Sequence, residues 1–165
     1  MFARYNEWAN GRLYAAAGAL SEEEWRADRS AFFGSVQATL NHILVADRIW
    51  MQRFTGVGPT YGRLNEIVCE ALPALREARE AEDRRIVEWV DGLPAEKLAG
   101  VIAYRTIVNP TEVTHPLAPA LAHFFNHQTH HRGQAHALMT ALRGKEAVPP
   151  LDLIYFQRET GVGLT

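Results

Sequence analysis

The residues with the clearest capacity for chemistry are two histidines, His127 and His131, which lie four positions apart in a helix-like stretch. Four residues are slightly more than one helical turn of about 3.6 residues, so both side chains project from the same face. Two imidazoles in this arrangement can bind one divalent ion. Gln128 stands where the H-E-x-x-H motif of zinc proteases has its glutamate, so the general base of that motif is missing. The spacing therefore predicts a metal site without protease chemistry.

Spacing alone also allows a pair formed by His123 and His127. On a helical wheel of about 100° per residue, His131 lies roughly 30° and His127 roughly 70° from the middle of the apolar face. His123, His130 and His136 all lie more than about 100° away. Buried imidazoles need polar partners, and a metal provides one for each ring. The alternative, a pair of hydrogen-bonded core histidines without metal, stays open.

A third ligand has to come from another part of the chain, and His42 is the best candidate. It lies away from the polar stripe of its helix and is flanked in projection by Ala38, Ala46 and Ile49, which indicates that it is buried. His115 precedes a proline in a loop-like segment and is expected at the surface. Three neutral histidines would leave one position on the ion for water or for a substrate thiolate.

Helices must position these side chains, and apolar residues spaced three and four apart predict four long ones. They are expected at about 2–20, 34–54, 65–90 and 117–143. Residues 101–106 favour a strand, and Asn109-Pro110 favours a turn, which predicts a short hairpin or extended segment. The expected fold is all-α: a four-helix, up-and-down bundle in one domain over residues 1–165, with the hairpin before the last long helix.

Composition argues against several classes of protein. The formal net charge is −2 and basic runs are missing, so nucleic acid is not an expected partner. Apolar stretches fall well short of the roughly 18 residues of a membrane span, and no membrane partner is expected. Cys69 is the single cysteine, so an intrachain disulfide is impossible and a cytoplasmic location is expected.

The chain resembles a known superfamily in four segments. These segments are residues 5–10, residues 40–50 around His42, the run His127-x-x-x-His131-Arg132-Gly133-Gln134, and residues 152–156. Together they resemble the DinB/YfiT-like superfamily of metalloenzymes, four-helix bundles that include bacterial thiol-dependent transferases and isomerases. The resemblance implies that His42, His127 and His131 bind a divalent metal, often zinc or nickel, and that homodimers are frequent. It does not specify the reaction.

Three further residues are predicted to support the ligands. Asp47 lies on the apolar side of the second helix, so its carboxylate needs a partner. It could pair with Arg132, hold an imidazole of the last long helix, or form an ion pair that is purely structural. Gln134 lies beside His127 and could bond the backbone or a ligand imidazole. Gly133 in mid-helix predicts the close approach of another helix.

These observations favour a metal-dependent enzyme that acts on a small molecule. On the resemblance alone, transfer of a low-molecular-weight thiol to an electrophile is preferred slightly over hydrolysis. Two other hypotheses compete with an enzyme. One is a non-catalytic, stress-related bundle that binds a metal or ligand, and the other is a structural dimer with histidines in its core.

Overall fold

The chain is mostly helical in its computed structural model, which describes residues 1–164. Within that range, six α-helices accompany one 3-10 helix and a two-stranded antiparallel sheet. In chain order the elements are α1 (Phe2–Ala17), α2 (Glu22–Arg26), α3 (Val36–Thr55), α4 (Leu72–Asp91), the 3-10 helix (Ala95–Ala99), β1 (Val101–Arg105), β2 (Glu112–Pro116), α5 (Leu117–Arg143) and α6 (Leu153–Thr160). The predictions of a mostly helical chain and of a hairpin before the last long helix are confirmed.

The four long helices share an apolar interior. α1 packs against α4 and α5, and α3 packs against the same two helices. Each contributes to one buried cluster, whose members include Leu13, Leu40, Leu44, Leu75 and Met139. The contact between α3 and α5 brings the two histidine-bearing helices together. The up-and-down order of the helices stays a prediction. None of the helices within the described range combines the length and apolarity needed to cross a membrane.

Helix α3 begins and ends at residues suited to those positions. Ser35 caps its start, where the hydroxyl accepts a hydrogen bond from the Ala38 N–H at 3.1 Å. Gly56 ends it with a left-handed φ of 74°, a conformation that costs glycine little. These limits place His42 near the start of α3 and Arg53 in its last turn.

Helix α4 begins at Leu72, so the predicted start at residue 65 is wrong. Pro73 lies in the first turn, where its missing N–H costs little. The segment before it is instead a loop held by Asn41, whose side-chain oxygen accepts hydrogen bonds from the backbone N–H groups of Val68 and Cys69 at 2.9 and 3.0 Å. A buried side chain of α3 thus fixes the loop from which the Leu64 carbonyl contacts His42.

Candidate metal centre

Three histidines converge where α3 packs on α5. His42 Nε2 lies 3.2 Å from His131 Nε2, and His131 Nε2 lies 3.1 Å from His127 Nε2. Each residue offers one ligand atom, and these atoms all lie within 4.8 Å of one another. His42 and His131 are buried, and His127 is partly exposed. The three residues singled out from the sequence therefore form one cluster, with His131 in the middle.

Hydrogen bonds define which ring nitrogens face the centre of the cluster. His42 Nδ1 lies 2.7 Å from the Leu64 carbonyl oxygen, which can only accept, so this nitrogen carries the proton. His131 Nδ1 lies 2.7 Å from Gln134 Oε1, which also accepts. In the neutral rings, the Nε2 atoms of both residues then present lone pairs toward each other.

Two lone pairs that face each other at this distance repel, and a cation between them would remove the repulsion. Two nitrogens bound at about 2.0–2.1 Å to a tetrahedral ion lie roughly 3.4 Å apart, close to the separations of 3.1 and 3.2 Å in this cluster. The outer nitrogens of two rings are already held by acceptors, as is common for metal-binding histidines. The three-histidine group fits a divalent metal ion, and its geometry does not distinguish one metal from another.

The cluster is electrostatically suited to bind metal at neutral pH. Burial lowers the pKa of His42 to about 4, and the charge of His131 contributes in the same direction. Burial also lowers the pKa of His127 to about 3, with further contributions from His131 and His42. The pKa of His131 is lowered chiefly by burial. All three rings are therefore neutral at pH 7, the form that coordinates a metal.

Phe33 covers one side of the cluster. Its ring stacks on His42 with centroids 3.9 Å apart, and it meets His131 edge-on at 5.5 Å. The residue lies in the short turn before α3, where Gly34 adopts a φ of 81°. The sequence gives no signal for this contact of Phe33, because no helical periodicity applies in the turn.

The other histidines lie outside the cluster. His123 sits between Trp50 and His127, with ring centroids 5.1 and 5.6 Å away. His130 is exposed, and His115 stacks on Tyr104 at 6.0 Å. The helical wheel of α5 therefore correctly distinguished His127 and His131, which face inward, from His123 and His130.

Asp47 and Arg132 do not contact the ligands. Of the three roles left open for Asp47, the structure shows an ion pair away from the histidines, and the predicted pairing with Arg132 is wrong. The Asp47 carboxylate pairs with Arg79 of α4 at 2.6 Å instead of with Arg132. Five residues along a helix turn a side chain by roughly 140°, so Asp47 faces a different helix from His42. Arg132 donates hydrogen bonds to Asn6 and Thr129. Neither residue hydrogen-bonds to a histidine of the cluster.

The prediction that another helix approaches closely at Gly133 is wrong. The residue is exposed, and a Cβ atom at this position would meet nothing within 4 Å. No helix packs there among residues 1–164, because this side of α5 faces outward. The structure does not explain the glycine.

Gln134 lies where it can hold His131. Replacing it with leucine is expected to weaken metal affinity about 10- to 100-fold, because the His131 ring would lose the acceptor that fixes its orientation. Competition with a chromogenic chelator measures this change. Thr140→Val on the same helix is the control, since among the described residues the Thr140 hydroxyl bonds only the backbone carbonyl of Ala137. Equal affinity in Gln134→Leu and wild type would contradict the assigned role.

A cavity of about 340 Å³ opens beside the histidines. Its walls include His42, His127 and Trp50, together with Arg53 and the hairpin residues 106–108. A second cavity of about 390 Å³ shares Ile49, Arg53 and Ile107 with it. The cluster therefore adjoins a space large enough for a small molecule.

Fold and site together define a mostly helical protein with a three-histidine group that could hold a metal ion. The model of the DinB family matches residues 1–160, and the chain belongs to that family. It is similar to Protein DinB of Bacillus subtilis (strain 168), with 22% identity over an alignment 168 residues long. The alignment covers 94% of this chain and 92% of that protein. No solved structure matches the chain. The resemblance found in the sequence is confirmed at the level of the family.

Proposed function

We propose that the protein binds one divalent ion through His42, His127 and His131 and is a metal-dependent enzyme that transfers a low-molecular-weight thiol to an electrophile. The observation that carries the metal site is the convergence of three Nε2 atoms, with neighbours 3.1 and 3.2 Å apart. The preference for a thiol comes from the resemblance to thiol-dependent members of the superfamily.

A bound divalent ion would supply Lewis acidity, which lowers the pKa of a coordinated thiol or water. In the proposed transfer, the thiol gives its S–H proton to solvent, and its sulfur forms a bond to an electrophilic carbon. The leaving group departs with the electron pair of the broken bond. The thiolate formed in this way needs no dedicated general base.

The residues of the chain have separate tasks in this scheme. The three imidazoles are neutral at pH 7, so they leave the charge of a dication uncompensated and favour an anionic nucleophile. Phe33 shields one side of the centre from water. Trp50 and Ile49 give the adjoining cavity an apolar wall for the carbon skeleton of the substrate.

Hydrolysis by an activated water is the second candidate. It is favoured by His123, whose ring lies 5.6 Å from that of His127 and lines the same cavity. A histidine in this position could accept a proton from water. The choice of zinc or nickel, a homodimer, a cytoplasmic location and an up-and-down bundle all stay predictions.

Thiol transfer is tested with untagged protein prepared with and without zinc or nickel. A Lewis acid contributes several kcal/mol to such a step, so the metal-loaded protein should react a thiol with an aryl chloride on the order of 100-fold faster than the metal-free protein. Release of chloride and loss of free thiol report the rate. Equal rates in the two forms would contradict the proposed metal-dependent enzyme activity. Metal uptake without turnover of any thiol or ester would support a non-catalytic binding protein. Absence of metal uptake would favour structural core histidines.

A further inference from the structure

Arg53 lies on the same face of α3 as His42. Residues 42, 46, 49 and 53 recur at spacings of four, three and four, so they form one stripe along the helix. Each of them lines the cavity beside the histidines. Arg53 is eleven positions from His42, which separates their backbones by about 16 Å along the helix axis. The side chains narrow this gap, because both extend into the cavity.

The Arg53 guanidinium has no acidic partner among residues 1–164. It lies between two aromatic rings, 4.6 Å from the centroid of Trp50 and 4.1 Å from that of Tyr104. Burial lowers the pKa of Arg53, and the opposing influence comes from Tyr104, with no contribution from a carboxylate. By contrast, nearby Arg85 pairs with Glu82 at 2.8 Å. Arg53 is thus a partly desolvated cation held in place by stacking, and its donors make no hydrogen bond to any of residues 1–164.

The cavities around Arg53 contain no negatively charged side chain. Within residues 1–164, their lining includes Arg53 and Arg105 but no aspartate or glutamate. The neighbouring rings of His42 and His127 are neutral at pH 7 and add no charge of either sign. Arg105 is opposite Glu112 in the β1–β2 ladder, so a carboxylate lies near it. No carboxylate is placed in this way for Arg53. A guanidinium with free donors in a cavity of one sign of charge is suited to bind a carboxylate or another oxyanion.

We propose that Arg53 binds a negatively charged group of the substrate, while the reacting end of the same molecule lies at the three-histidine centre. This inference rests on the proposed function for the reacting end, and it narrows the substrate class to anionic small molecules. Allowing for the reach of both side chains, the acid and the reacting atom should be roughly 10 Å apart. A short thiol acid could not reach both ends.

Two ligands of equal length and different charge test the subsite. They are 6-mercaptohexanoate and 6-mercaptohexan-1-ol, and titration calorimetry on the zinc-loaded protein measures their dissociation constants. The acid should bind at least about tenfold more tightly than the alcohol, as expected for a hydrogen-bonded charge pair. In Arg53→Met the preference should fall to less than about twofold. Arg53→Lys should keep only part of it, because the charge remains but the planar guanidinium that stacks between the two rings is lost.

Arg105→Met is the matched control, since it removes a cation of the same cavity system that lies opposite Glu112. It should keep the preference for the acid. A shorter pair of ligands is 3-mercaptopropionate and 3-mercaptopropan-1-ol. The ratio of their dissociation constants should be the same in wild type and in Arg53→Met. Thermal melts of the zinc-loaded variants check that each is folded. Equal binding of the two long ligands, a preference that persists in Arg53→Met, or binding of neither ligand would overturn the proposal.

Failure of the thiol chemistry can be separated from failure of the subsite. In cobalt-substituted protein, a sulfur-to-cobalt absorption band reports directly on contact between the thiol and the metal. Hexanoate and hexan-1-ol, which lack sulfur, test the anion subsite alone. If no thiol produces the band but hexanoate still binds wild type more tightly than Arg53→Met, the thiol function fails and the subsite stands. If the thiol acid and the thiol alcohol give the same band and bind with equal affinity, the thiol function stands and the subsite is refuted.

Discussion

Replacing His131 with alanine should abolish tight metal binding. His131 Nε2 faces both other ligand atoms, at 3.2 Å from His42 and 3.1 Å from His127. Without it the site keeps two imidazoles, too few for a stable zinc or nickel site. We expect affinity to fall more than about 100-fold, which exceeds the usual effect of changing a residue that only supports a ligand. Elemental analysis after dialysis against a weak chelator measures the loss.

Thermal unfolding provides a second measurement of the same change. A metal present at about 1,000 times its dissociation constant stabilises the folded state by roughly 4 kcal/mol. In a domain of this size, that corresponds to roughly 10 °C in Tm. Metal should therefore raise the Tm of wild type and leave that of His131→Ala unchanged. The two metal-free proteins should melt at similar temperatures, because the substitution also removes a buried nitrogen whose lone pair faces that of His42.

His130→Ala is the matched control for His131→Ala. His130 is the adjacent histidine of α5, but it is exposed and lies outside the cluster. This variant should bind metal as wild type does. Retention of one ion per chain in His131→Ala at unchanged affinity would refute the ligand assignment. Loss of metal in both variants would show that the helix, and not the individual ligand, was disturbed.

Replacing Arg79 with methionine should lower the free energy of unfolding more than any other substitution proposed for this chain. Arg79 is buried between two carboxylates, with Nη1 2.6 Å from Asp47 and Nη2 3.0 Å from Asp83. Burial opposes the charge of Arg79, but Asp83 and Asp47 together raise its pKa above the ordinary value. Removing the guanidinium leaves both acids buried without their cation. The expected cost is about 3–5 kcal/mol in the free energy of unfolding, measured by urea denaturation.

Arg4→Met is the control for Arg79→Met. Arg4 also pairs with an aspartate at 2.6 Å, but the side chains of Arg4 and Asp91 are 49% and 51% exposed. Water screens such a pair, so its loss should cost less than about 1 kcal/mol. Adding Asp47→Asn to Arg79→Met should recover part of the lost stability, because one unpaired buried charge disappears. A cost for Arg79→Met no larger than that for Arg4→Met would contradict the importance of this cluster.

The sequence by itself determined the direction of individual side chains on their own helices. Spacing placed His127 and His131 on one face of α5, and the wheel separated them from His130. The same reasoning indicated that His42 is buried. These results need only the helical repeat, which is a local property of the backbone. The family was also recognisable, because its motifs are short and contiguous.

Only the tertiary structure decided which residues meet across helices. Asp47 pairs with Arg79 of α4, and no periodicity indicates which helix lies opposite a given face. Phe33 reaches His42 from an irregular turn. Arg53 lies between Trp50 and Tyr104, and Tyr104 belongs to the hairpin. A helical repeat fixes angles about one axis, whereas the rotation and distance between two axes follow from the packing of all the side chains between them.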